Sequence, residues 1–448
     1  MANSFPTISL CMIAKNEEQW IHQCISSVAS VVSEIILVDT GSTDRTVEIA
    51  QGLGAKIFHQ PWNDDFSPPR NFSIEQATSD WILVLDADEV IAQKDLAELQ
   101  SLTLDSTKCY EFVQRHYSND VRISAYTPVN GEYPEWENGH GGYFESALCR
   151  LFPNRAEIHY IGRVHELVEH RIRNIGKHQI LRTRIPLHHY GHTESVKKQK
   201  QKGSLYTPLG TAKLDDNPKD WKAWFELGVE HNNNALLEES VNAFLKAIEL
   251  NPSYEPTWVN IGYVLCELGR FADAETSLKS ALTLDKNSHE AYCNLGVVYL
   301  RSNQLELAER CFRLAIQRSP NYINAMCNLG KSLSAQGRVS ESANIYMQVL
   351  EKLPSCTSAK LELGYLYLSA KQFREAEKYF SNAVKDDPTQ LQSHYLLAQV
   401  FKQTQNATRA IEELMETCRL AKEAVPSHHV TNILASAEAE LVCLGVAI

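Results

Sequence analysis

At 448 residues, 44% hydrophobic and 22% charged, the chain is too long for one ordinary core and implies two or more soluble domains. A formal net charge of −12 speaks against nucleic acid as a partner and offers nothing to an anionic membrane surface. The 11 cysteines are odd in number, scattered and free of any C-x-x-C pair, so they read as reduced, core-filling thiols of a cytoplasmic protein.

The N-terminal stretch "MANSFPTISLCMIAKNEE" has no basic region ahead of its short apolar run and predicts no signal peptide. No apolar run approaches a transmembrane span. "TISLCMIA" (7–14) predicts a buried strand, and "EEQWIHQCISSVAS" (17–30) a helix with Trp20, Ile21, Cys24, Ile25 and Val28 on one face. "EIILVD" (34–39) predicts a second strand, and "GSTDRTVEIAQGLG" a turn and a helix ending at a glycine. "AKIFHQ" is a third strand, "SPPRNFSIEQAT" a helix entered through prolines, and "WILVLD" a fourth strand. This alternation predicts a parallel sheet covered on both faces, with ligands beyond the carboxyl ends of its strands. Those ends carry Asn16 and Glu17, Asp39, and Asp86 to Asp88.

The second half repeats. Leu-Gly or a close variant stands at 227–228, 261–262, 295–296, 329–330 and 363–364, then Leu-Ala at 397–398, a constant step of 34 residues. Ala247, Ala281, Ala315 and Ala383 keep a second register, with Val349 substituting once. Phe244, Leu278, Phe312, Tyr346 and Phe380 keep a third, and Pro252, Pro320, Pro354 and Pro388 a fourth. Small residues let paired helices approach, aromatics fill between them and proline stops the second helix. The pattern resembles the tetratricopeptide repeat from 221 to about 420, about six repeats in all. The expected division is a first domain over 1–205, a transition-helix end and linker over 206–220, repeats over 221–424 and a closing helix over 425–448.

The stretch "WILVLDADEV" (81–90) runs from apolar residues into three carboxylates. Residues i and i+2 of a strand share a side, so Asp86 and Asp88 are expected to face one ligand. Adjacent carboxylates repel unless a cation or solvent stands between them. Mg²⁺ or Mn²⁺ would suit such a pair, bridging carboxylates to substrate phosphates. A bare D-x-D also reads as ordinary loop charge, so its context decides.

That context is "LCMIAKNEE", "EIILVDTGSTDRT" and "WNDDFSPPRNFSIEQATSDWILVLDADE", in that order. Together they resemble family 2 glycosyltransferases of the GT-A fold, in the branch often joined to tetratricopeptide repeats. The resemblance is firm over about residues 7–91 and extends to about 200. It implies an α/β GT-A domain followed by an all-α repeat solenoid, acting as a hexosyl- or N-acetylhexosaminyl-transferase with a UDP-sugar donor and Mn²⁺ or Mg²⁺. Carried over by position, Lys15, Asn16, Glu17 and Asp39 would hold the nucleoside, and Arg70 and Asn71 would face the nucleotide. Asp86 would lie beside ribose and metal, and Asp88 would ligate the metal. Many relatives have a second Asp after Asp39, where this chain has Thr40. "CRLFPNRAEIHYIGRVHELVEH" and "IPLHHYGHTESVKKQ" resemble further stretches of the branch. They make Glu166 the candidate general base, with His165 next, and His189 a candidate third metal ligand or diphosphate contact beside His188 and His192. "NGEYPEWENGHGGYF" (130–144) and "WNDDF" (62–66) are candidate cleft-lining or lid segments.

Two other readings compete. A sugar nucleotidyltransferase would place a glycine- and arginine-rich loop after the first strand, where this chain has "AKNEEQW". A non-catalytic repeat scaffold would not be expected to keep Asp39, Arg70, Asp86 and Asp88. For the acceptor, Asn260, Asn294 and Asn328 share one phase of the repeat, just before Leu-Gly, where helix propensity gives no reason for asparagine. Their amides suit a peptide backbone of any sequence. The arrangement resembles that of protein O-linked N-acetylglucosamine transferases, and it favours a polypeptide acceptor or protein partner over a lipid or glycan.

Overall fold

The structure is a computed structural model and describes residues 5–119, 123, 126–137, 139–163, 166–190, 211, 213, 214, 217–424 and 427–446. His165, His192 and most of the expected transition helix lie outside these residues. The chain divides into two compact units, Met1–Leu268 and Gly269–Ile448.

The first unit opens with β1 (Ile8–Ala14), α1 (Ile21–Val28), β2 (Glu34–Asp39), α2 (Thr46–Gly52), β3 (Lys56–His59), α3 (Ser67–Glu75) and β4 (Trp81–Val84). There follow β5 (Glu89–Val90), α4 (Leu96–Leu102), β6 (Lys108–Ser118), β7 (Thr127–Pro128), α5 (Pro134–Glu137), β8 (Gly142–Pro153), α6 (Glu169–Ile175) and β9 (Gln179–His189). The sheet order is β3-β2-β1-β4-β8-β6-β9-β5, with β7 against β8. β1 to β4 are mutually parallel, as the alternation predicts, whereas β8 runs antiparallel to both β4 and β6. Successive residues of β1 serve opposite faces. Leu10 and Met12 pack with Ile21, Ile25 and Val28 of α1, and Cys11 packs with Ile74 of α3. Both faces are apolar, which is why these strands read as unbroken hydrophobic runs.

The helix expected from residue 17 begins only at Ile21. Asn16 takes a left-handed φ of 57°, and the amides of Asn16, Glu17 and Glu18 donate to Ser42 Oγ, Thr46 Oγ1 and Asp44 Oδ2. Backbone groups drawn outward in this way cannot enter a helix. In α3, prolines occupy the first turn, where their missing N–H costs nothing.

Three repeat helices, Trp221–Asn233, Leu237–Leu250 and Glu255–Glu267, complete the first unit. The second unit runs in helical pairs from Phe271–Leu284 to Ala407–Glu423, and then His428–Cys443. A Cβ on Gly296, Gly330 or Gly364 would stand 2.5, 2.6 or 2.5 Å from the ring of Phe312, Tyr346 or Phe380. The glycine and aromatic registers are therefore one contact read twice. Where the small residue becomes Ala398, the aromatic place holds the smaller Leu414, and the two share a cluster with Ala437 and Leu441 of the last helix. Glu440 of that helix accepts from Tyr395, Gln399 and Lys402, closing the array with polar contacts. Ten of the 11 cysteine thiols are buried and none is bridged. Among the described residues no helix is long and apolar enough to cross a membrane.

Candidate active site

The order of strands reverses between β1 and β4, and the carboxyl edge beside that point is where an open α/β sheet leaves a crevice. Pairing of Ala14 with Asp39, and of Asp39 with His59, brings the ends of β1, β2 and β3 level at this edge. Two loops are stitched together there. Asn16 Oδ1 accepts from the Thr43 amide at 2.8 Å, and Glu18 accepts from the Arg45 amide at 3.0 Å. Asp39 is buried and organises the turn that follows it. Its oxygens accept from the Ser42 amide at 3.0 Å and face His59 Nδ1 at 3.2 Å. Burial opposes its charge, yet Ser42 and His59 hold the Asp39 carboxyl below the usual range. Lys15, Asn16 and Glu17 thus share one edge with Asp39, as the sequence predicts.

Beyond β4 the chain turns. The Glu89 amide donates to the Asp86 carbonyl at 3.0 Å, so extended geometry has ended before Asp86. The expectation that Asp86 and Asp88 face one ion by strand parity is therefore corrected. Asp86 instead binds Arg70 and Arg150, each at 2.7 Å. Burial opposes ionisation of Asp86, but Arg150 and Arg70 overcome it and hold the carboxyl well below the usual range. Arg150 also meets the fully buried Glu89 at 2.8 Å. Burial pushes the Glu89 carboxyl up against the pull of that arginine. Arg70 Nε in turn donates to Glu166, so one guanidinium joins Asp86 to the candidate base.

These residues enclose a cavity of about 210 Å³ lined by Phe66, Arg70, Asp86, Arg150, Tyr160 and Glu166. Arg70 Nη1, Arg150 Nε and the Tyr160 hydroxyl are buried there without a hydrogen-bond partner. Buried donors left unpaired are costly, and a ligand rich in oxygen would satisfy them. Phe66 arrives through the "WNDDF" segment, whose Trp62 ring packs edge-on against it at 4.6 Å. Asn71 is not part of this group. Its amide donates to the Tyr160 carbonyl at 3.0 Å and accepts from the Tyr160 amide at 2.7 Å. With both ends engaged, Asn71 clamps the loop that carries Tyr160, and it lines a separate hollow with His59 and Gln60.

Asp88 meets a residue of β9. Its Oδ1 stands 3.4 Å from His189 Nε2, both side chains being about nine-tenths buried. Two atoms bound at about 2.1 Å to one divalent ion stand about 3.0–3.4 Å apart, so this pair fits two ligands of one ion. Asp86 does not join them. Among the described residues no group of three or more His, Cys, Asp or Glu side chains is set to hold a metal. His188 points to the opposite face, where its Nδ1 meets the Tyr117 hydroxyl at 2.7 Å among Tyr133, Trp136 and Tyr190. Burial pushes its pKa down to about 3. The 130–144 segment thus supplies Tyr133, Trp136 and Tyr143 to an aromatic cluster beside the site.

Each repeat unit places its own asparagines. In the first unit, Asn260 is half-buried and donates to the Pro256 carbonyl at 2.8 Å. In the second, Asn294 and Asn328 are half-buried, and Asn328 donates to Asn324 Oδ1 at 3.1 Å. Sequence reasoning missed Arg150, Glu89, Gln114 and His116. Arg150 stood inside the quoted "CRLF" stretch without a role, since nothing local ties it to a carboxylate 64 residues away.

Comparison with known proteins finds relatives of both halves of the chain. Residues 9–146 match the family described as Glycosyl transferase family 2, and tetratricopeptide repeat models match segments from 222 to 400. The chain is 34% identical over 226 residues to a TPR repeat-containing protein of Synechococcus elongatus, covering 49% of this chain and 51% of that one. It is 29% identical over 245 residues to the SPbeta prophage-derived glycosyltransferase SunS of Bacillus subtilis, covering 54% and 53%. An uncharacterized glycosyltransferase of Rickettsia felis is 41% identical over 128 residues, covering 28% and 45%. The chain spans about half the length of the curated relatives it matches.

Proposed function

We propose that this chain, which joins a family 2 glycosyltransferase domain to tetratricopeptide repeats, moves a sugar from a UDP-sugar to an acceptor, with inversion at the anomeric carbon. The observation that carries the reading is the gathering of Asp39, Asp86 and Asp88 at the carboxyl edge of the sheet, beside a cavity with unpaired buried donors. Asp39, with the Lys15–Glu17 loop, receives the nucleoside. Asp88 and His189 would hold a divalent cation, which would neutralise charge on the departing diphosphate. The unpaired groups of Arg70, Arg150 and Tyr160 hydrogen-bond oxygens of the bound substrate. Glu166, joined to Asp86 through Arg70, takes the proton of the acceptor nucleophile as its bond to the anomeric carbon forms and the bond to the diphosphate breaks.

The acceptor is a polypeptide carried by the repeats. Asn260, Asn294 and Asn328 recur every 34 residues on first helices, where Asn260 and Asn328 donate through Nδ2 to groups one turn earlier and an amide's oxygen is the acceptor a peptide N–H would use. Cytoplasmic thiols and protein substrates fit one compartment. The test is protection against thermal unfolding. With Mn²⁺ present, UDP should raise the melting temperature more than GDP or ADP, and Asp88→Ala should remove both that gain and sugar transfer. Equal protection by all three nucleotides rejects the UDP assignment, and a fully active, metal-independent Asp88→Ala rejects the metal. A lysate-labelling screen that marks only lipid rejects the polypeptide.

A further inference from the structure

A row of polar side chains crosses the second half of the sheet and ends at His189. Pairing sets Glu89 opposite His189, His189 opposite His116, and Gln114 opposite Ser146. Residues directly opposite on neighbouring strands point to the same face, as do i and i+2, so all five side chains share one face. The direction of each hydrogen bond follows from the buried end. Glu89 Oε1 accepts from the Arg150 guanidinium at 2.8 Å and also from Gln114 Nε2. With its nitrogen held by that carboxylate, Gln114 turns Oε1 toward Ser146, whose hydroxyl donates to it at 3.0 Å. The Ser146 oxygen is then the acceptor for His116 Nε2–H at 2.8 Å. In the neutral ring, Nε2–H given to Ser146 leaves Nδ1 as the acceptor. His189 Nδ1 stands 2.7 Å away and must donate to it. In the neutral tautomer that donates from Nδ1, the His189 Nε2 lone pair lies on the side of Asp88 Oδ1, 3.4 Å away.

We propose that Glu89, Gln114, Ser146 and His116 form a positioning relay that presents His189 Nε2, together with Asp88, to a divalent cation. His116 is the member that acts on His189 directly. The inference rests on the metal reading given above. Metal-bound histidines commonly donate their second ring N–H to an acceptor that fixes ring and tautomer, and losing that acceptor costs roughly 10–100-fold in metal affinity. In this chain the acceptor is another imidazole, held in place by Ser146 and by stacking on Phe144 at 4.6 Å between ring centres.

The experiment titrates the full chain with Mn²⁺ alone and counts free Mn²⁺ by its electron paramagnetic resonance signal. His116→Phe keeps an aromatic ring against Phe144 and removes Nδ1, so Mn²⁺ affinity should fall about 10–100-fold. His116→Asn sets an amide oxygen where Nδ1 stood, and affinity should stay close to that of the parent. A role in packing alone predicts the opposite ranking, because Phe fills the space better than Asn. Should His116→Phe fail to fold, Ser146→Ala removes the anchor of the His116 tautomer and should weaken Mn²⁺ binding severalfold. Equal affinity in parent, His116→Phe and Ser146→Ala, or equal loss in the Phe and Asn variants, overturns the relay and leaves the metal reading standing. No Mn²⁺ binding by the parent overturns the metal reading and the relay with it.

Discussion

Replacing Arg150 with methionine keeps an apolar stem of similar length and removes the guanidinium. The side chain is 4% exposed, and Nη2 lies 2.7 Å from Asp86 and 2.8 Å from Glu89. In the variant, Asp86 keeps Arg70, but Glu89 keeps only neutral donors, Gln114 and the Asp86 amide. Breaking a buried ion pair by removing one partner costs about 3–5 kcal/mol. A domain of 150–250 residues loses about 2–4 °C per kcal/mol, so the melting transition of the sheet domain should fall by about 6–20 °C at pH 7. The penalty should depend on pH. The Glu89 carboxyl is already raised by burial, and losing its cation raises it further. A carboxyl whose folded pKa exceeds its unfolded value favours the folded state at low pH and loses that contribution as pH rises through the folded pKa. The Arg150→Met penalty should therefore shrink between pH 7 and pH 5, and adding Glu89→Gln should recover much of it at pH 7. Scanning calorimetry at both pH values reads all of this. A transition within about 2 °C of the parent, or a penalty that grows as the pH falls, refutes the account of Arg150 as the buried counter-charge.

The remaining predictions concern the acceptor side and the repeats. Glu166→Gln should keep UDP-sugar binding and lower single-turnover transfer by about 10²–10⁴-fold, whereas parallel loss of both would make Glu166 structural. The triple change Asn260→Ala, Asn294→Ala, Asn328→Ala should raise the acceptor KM severalfold while donor hydrolysis and melting stay unchanged; unaltered transfer to a protein acceptor removes the asparagines from the mechanism. Gly330→Ala drives a methyl to within 2.6 Å of the Tyr346 ring and should cost about 1–3 kcal/mol in urea unfolding of the repeats. Adding Tyr346→Leu should return most of that loss, because the Ala398 and Leu414 pair already accommodates the same exchange.

Strand existence was legible because both faces of β1, β2 and β4 are buried, which forces unbroken apolar runs. The repeat was legible because a contact as tight as Gly364 on Phe380 restricts both partners. A further register stayed hidden. Ala235, Gly269, Asn303, Gly337, Lys371 and Gln405 all take positive φ, one at each turn between paired helices. Only two of the six are glycine. A left-handed residue costs roughly 1–2 kcal/mol when it is not glycine, an amount the helical contacts on either side readily offset. Conformation therefore repeats every 34 residues while residue type does not, and no pattern search on letters finds it.

The site divided along the same line. Asp39 was legible because it ends a strand whose partners fix its level. His189 could be separated from His188 only once β9 was paired, since parity assigns the two to opposite faces but not which face carries Asp88. Parity failed outright at Asp86 and Asp88, where a turn had replaced the strand. The failure has a physical consequence. Had the two carboxylates shared one ion, losing it would leave them repelling each other. Because Asp86 is neutralised by Arg70 and Arg150, the cation we propose is left to Asp88 and His189. The balance of charge around Asp86 then does not depend on a bound cation.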